Sequence, residues 1–157
     1  MTIRQTGDHS FAQVPSADIE RSSFNRSHGF KTTMDAGFLV PVFVDEVLPG
    51  DTFNLRMQHF ARLATPLRPF MDNLFLDTFF FFVPNRLVWK NWVHMNGERD
   101  NPTDSVAFTI PQLSAPMNGF AVGSLADYMG IPPLVSPFHV NALPFRAYNL
   151  IWNTWLS

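Results

Sequence analysis

Acid–base or metal chemistry in this chain would have to come from its five histidines, His9, His28, His59, His94 and His139. None stands at a metal-ligand spacing, and there is no H-E-x-x-H. A cupin-type metal barrel needs a closely spaced His pair on a strand, and the chain has no H-x-H. With no cysteine, thiolate catalysis, Cys-ligated zinc and disulfides are excluded. Gly-rich phosphate loops and a G-x-S-x-G elbow are also missing. Asp45 and Glu46 adjoin, so on a strand they face opposite ways and cannot share a substrate. Asp77 sits among apolar residues and reads as a structural strand residue rather than a tuned acid. No catalytic residue, metal ligand or cofactor-binding residue is predicted.

One cluster has the chemistry to touch nucleic acid. Arg86, Trp89, Lys90 and Trp92 combine cations with rings that stack on bases. The spacing of the two tryptophans also suits a buried helix face, which is the stronger reading. Net charge is −2, so electrostatics alone does not point to a polyanion.

The elements that position these residues are legible from pattern. Charged residues make up 15% of the chain, with 17 Phe against 2 Tyr and 13 Pro. Charge depletion with aromatic enrichment predicts extensive burial against other subunits. Residues 1–34 read as an N-terminal arm, with Phe11, Phe24 and Phe30 as anchors for a neighbouring subunit. Residues 35–99 hold predicted strands over 37–48, 52–62 and 73–83, followed by a helix over 86–95. Asn85 is its predicted cap. Pro49-Gly50 carries type II turn chemistry. The 73–83 strand has Phe on both faces and requires cover on both.

Residues 100–144 form a Pro-rich insertion. Between Ala107 and Val140 the one full charge is Asp127, so ordered irregular backbone is expected rather than a polar linker. Inside it Ser124, Asp127, Gly130 and Pro132 spell a short capped helix. Phe108, Phe120 and Phe138 are its candidate inter-subunit contacts. Residues 145–157 begin an amphipathic helix with Phe145, Tyr148, Trp152 and Trp155 in one stripe. The stripe is still running at Ser157, which predicts a longer polypeptide. The start is polar and lacks signal-peptide character, and no apolar run reaches membrane-spanning length.

Three runs carry a family resemblance: HGFKTTMDAGFLVPVFVDEVLPGDTF from His28, RLATPLRPFMDNLFLDTFFFFVPNRLVWKNWVHMNGE from Arg62, and LPFRAYNLIWNTW from Leu143. Together they resemble the major capsid proteins of the microviruses, most closely the gokushovirus branch. Relatives in that family are several times longer and continue with a charged segment where this chain reads Leu156-Ser157. The resemblance implies an N-terminal fragment of a mainly β viral jelly roll, an eight-stranded Greek-key barrel with long loop insertions and short helices. It also implies self-assembly of many copies into an icosahedral shell around single-stranded DNA, with a small basic DNA-associated protein as a further partner. The expected location is the virion, assembled in the bacterial host cytoplasm, with no membrane, no cofactor and no enzymatic step. The alternative from another class is a carbohydrate-binding or enzymatic β-sandwich. That alternative would show an acid pair or His cluster at strand ends, and the sequence offers neither.

Overall fold

The longest element of the chain forms where the aromatic stripe predicts a helix. In the computed structural model, which describes residues 20–156, helix α4 runs Leu143–Ile151. Pro144 falls in its first turn, where a missing N–H costs nothing. Asn141 Oδ1 accepts from the Leu143 N–H at 2.9 Å. The helix widens into a π turn over Trp152–Leu156, where Thr154 Oγ1 donates to the Leu150 carbonyl at 2.7 Å.

The expected helix over 86–95 is two separate turns, α1 at Asn85–Val88 and α2 at Trp92–Met95. Trp89 between them is extended, at φ −147° and ψ 112°. The physical reason lies in α4. The break turns the Val88 carbonyl out of the helix, and Arg146 Nη1 donates to it at 3.2 Å. A charge-assisted bond from another element replaces a neutral intrahelical one. The cap is also corrected: Pro84 holds that position, and Asn85 is already in the first turn.

The three strands predicted over 37–48, 52–62 and 73–83 do not form ladders among the described residues. A strand exists through its hydrogen-bonded neighbour, and no other part of the described chain supplies one. From 73 to 83 the backbone runs without helix, turn or bend. The expected mainly β content is therefore not realised among the described residues, where short helices outnumber strands. The Pro49-Gly50 turn does form: Asp51 N donates to the Leu48 carbonyl at 3.1 Å, and Gly50 takes φ 84°. That positive φ at the second corner defines the type II turn and requires glycine.

Pairing occurs instead inside the stretch expected to be irregular. Strand β1, Gln112–Ser114, lies antiparallel to β2, His139–Asn141, with Leu113 opposite Val140. Bonds from Ala115 N to the Phe138 carbonyl and from Ala142 N to the Pro111 carbonyl, both 2.9 Å, extend the pair at each end. Between the strands lies α3, Leu125–Tyr128, where the capping pattern predicts a helix. Its start departs from the expectation. Ser124 occupies the cap position without a side-chain bond, and its buried Oγ has no partner. Asp127 Oδ2 instead reaches back to the Gly123 N–H at 2.8 Å. The stop is as predicted. Gly130 at φ 87° donates to the Asp127 carbonyl, and Ile131 N donates to that of Ala126, the paired bonds of a Schellman ending.

The chain divides into two units, Met1–Lys31 and Thr32–Ser157. In the first, residues 20–31 are exposed and carry neither helix nor strand. In the second, α1 and α4 pack together. Among the described residues only Ala126 and Leu143 form a buried apolar core.

Candidate assembly surface

A core of two residues leaves the aromatic side chains at the surface. In the 73–83 run, Phe75 is 84% exposed, Phe79 65%, Phe80 56%, Phe81 36% and Phe82 76%. A phenylalanine carries about 200 Å² of burial potential, so these five leave roughly 600 Å² of aromatic area open to water. At about 25 cal/mol per Å², covering it is worth on the order of 15 kcal/mol, an upper figure because a denatured chain is partly collapsed. That equals or exceeds the whole stability of a typical domain, and it matches the largest apolar patch of an ordinary monomer in a single short run.

The surface has local order. Phe79 and Phe81 lie 6.4 Å apart between ring centroids, and Phe81 meets Trp155 edge-to-face at 5.6 Å. Phe81 and Trp155, with Leu87, Leu150 and Ile151, line an apolar groove of about 220 Å³ between the Phe run and α4. Sequence reasoning placed Phe81 and Trp155 on separate elements. Their pairing depends on how α4 docks and has no local signal.

The candidate inter-subunit residues fall into two groups. Phe24 and Phe30 are exposed. Phe108, Phe120 and Phe138 are half-buried and already have aromatic neighbours. Phe120 meets Phe138 edge-to-face at 6.0 Å, and Phe108 lies 6.0 Å from the His94 ring. Phe11 lies outside the described residues. Of the candidate nucleic-acid contacts, Arg86 and Lys90 are exposed, whereas Trp89 and Trp92 are half-buried and pack edge-to-face at 6.3 Å. The structure thus brings the two tryptophans onto each other and leaves the two cations in solvent.

Among the described residues no group of histidine and acidic side chains is placed to hold a metal ion, and no helix is long and apolar enough to cross a membrane. The one polar pair joining the two strands is Ser114 Oγ with His139 Nδ1, at 3.0 Å. Three side-chain donors among the described residues tie distant segments together and were not singled out from the sequence for this role. Arg146 reaches Val88, Tyr148 reaches Leu39 and Tyr128 reaches Thr33. Burial raises the Tyr148 phenol above its ordinary pKa of 10.0.

An open aromatic surface beside a two-residue core defines a class: a segment whose described residues leave its apolar face uncovered. The comparisons give the family. Residues 12–157 match the model of the capsid protein (F protein) family, and the chain belongs to that family. It is 54% identical over 147 residues to the capsid protein VP1 of Bdellovibrio phage phiMH2K, covering 94% of this chain and 28% of the relative. It is 51% identical over 154 residues to capsid protein VP1 of Chlamydia phage 1, covering 92% and 25%. With capsid protein VP1 of Spiroplasma virus 4 the identity is 34% over 148 residues, covering 94% and 27%. The chain thus spans about a quarter of the length of the curated relatives it matches.

Proposed function

We propose that these 157 residues serve as part of a major capsid subunit, many copies of which assemble into an icosahedral shell around single-stranded DNA. The observation that carries this reading is the uncovered Phe run of 73–83, in a chain whose relatives hold most of their length outside the matched region. The unpaired runs 37–48, 52–62 and 73–83 become strands of a jelly roll when the remaining polypeptide supplies their neighbours. Their alternating pattern, 52–62 above all, supports that assignment. The role is structural, exercised in the virion after assembly in the bacterial host cytoplasm.

Exposed Arg86 and Lys90 are the proposed contacts to packaged DNA. With a net charge of −2, this chain neutralises few phosphates, and a small basic protein takes the larger share. Phe24 and Phe30, exposed and unsupported by helix or strand, are the proposed anchors on neighbouring copies.

The test is a chimera. The chain replaces the matched segment of the phiMH2K capsid protein, and the product is analysed by sedimentation and electron microscopy. Closed particles of the parent's size are expected. A soluble protein that never assembles, or one that binds glycans as a monomer, overturns the reading.

A further inference from the structure

The chain has 17 phenylalanines and only 2 tyrosines, and both tyrosine hydroxyls reach the same short stretch of backbone. Tyr128, the last residue of α3, donates its hydroxyl to the Thr33 carbonyl at 3.1 Å. Tyr148, within α4, donates to the Leu39 carbonyl at 2.9 Å. Each acceptor lies about a hundred residues away in sequence, at |i−j| of 95 and 109. Between the two acceptors the backbone turns at Ala36–Gly37, with Gly37 at φ 85°. A Cβ on Gly37 would meet nothing within 4 Å, so the space beside the glycine is open. Thr33 is the second residue of the unit that begins at Thr32.

We propose that Tyr128 and Tyr148 form a two-point clasp that locks residues 33–39 around the Gly37 turn, near the start of the Thr32–Ser157 unit. Phenylalanine fills the same space as tyrosine, so the hydroxyls add the bonds and not the packing. Releasing both leaves a glycine turn with neither flank tied, which acts as a hinge. The clasp belongs to residues 32–157 and stands whether or not the chain builds a shell.

The test uses the whole chain held in non-ionic detergent, with Y128F, Y148F and the double variant compared by timed trypsin digestion. Cleavage after Lys31, which is exposed, requires the protease to draw residues 32–34 into its cleft, against the clasp. Cleavage after Arg86, inside α1, reports opening of the rest of the unit. Each single variant is expected to speed cleavage after Lys31 by about two- to fivefold, and the double variant by about tenfold, with Arg86 unchanged. Unchanged cleavage after Lys31 in the double variant overturns the clasp. So does equal acceleration at both sites, which would make the hydroxyls general stabilisers.

Discussion

Gly119 is the position where a single added methyl group should do the most damage to the 115–138 excursion. It has φ 74°, and a Cβ built there would lie 2.6 Å from the carbonyl carbon of Leu134 and 2.7 Å from its Cα. These are backbone atoms and cannot swing aside. Leu134 is itself at φ 60°, and its N–H donates to the Phe120 carbonyl at 2.9 Å. In G119A the alanine in the left-handed region costs about 1–2 kcal/mol. Pushing the two backbone segments apart also loses the Leu134 bond, worth about 1 kcal/mol. A local opening made easier by about 2–3 kcal/mol should speed amide exchange at Leu134 by roughly 30- to 150-fold. Gly123 provides the control, because it has the same φ of 74° with nothing within 4 Å of an added Cβ. G123A therefore carries the backbone cost alone, about 1–2 kcal/mol. The assay is hydrogen exchange by mass spectrometry over peptides from 115–138, with α4 as the internal reference. If G119A exchanged no faster than G123A, the argument that close backbone approach fixes this loop would be refuted.

Two further outcomes follow from the same structure. Burial raises the Tyr148 phenol above 10.0, so the folded state holds that proton more tightly than the unfolded one. The associated stability is whole below pH 10 and is lost as pH rises through the raised value. Tyrosinate absorbance should show an ionisation step above pH 10 that Y148F abolishes; a step removed by Y148F that lies at or below pH 10 would contradict it. Replacing Phe75, Phe79 and Phe82 with serine removes the most exposed rings of the 73–83 run. The isolated chain should then become more soluble in a sedimentation assay, while the phiMH2K chimera loses particle formation. Normal assembly of the triple variant would contradict the role given to that run.

What could be read in the sequence divides by range. Signals that act within a few residues were legible. The Pro49-Gly50 turn, the Gly130 stop of α3 and the helix beginning near Leu143 all form as their local chemistry dictates. Signals that need a distant neighbour were not. The alternation of Phe53, Leu55 and Met57 specifies a strand face, but a ladder needs a second strand, and none is supplied among the described residues. Trp89 lies on a helical stripe, yet it is extended because Arg146, far along the chain, claims the Val88 carbonyl. The β1–β2 pair was missed because Gln112–Ser114 and His139–Asn141 are each three residues long, too short to show a period. The open aromatic surface was legible in kind, since Phe excess with few charges pointed to more apolar area than a small core hides. Its placement was less so. Phe120 and Phe138, read as contacts to other subunits, also meet each other edge-to-face in this chain, a pairing with no local signal in the sequence.

The 73–83 run is proposed here as a surface made to be covered. The most direct test is hydroxyl-radical footprinting of Phe75, Phe79, Phe80 and Phe82, comparing the isolated chain with the chimeric particle. Strong oxidation of all four rings is expected in the isolated chain, as their exposure requires, and protection of all four in the particle. Equal oxidation in the two states would contradict it, because a Phe-rich run that stays open in an assembled shell cannot be what holds the subunit together.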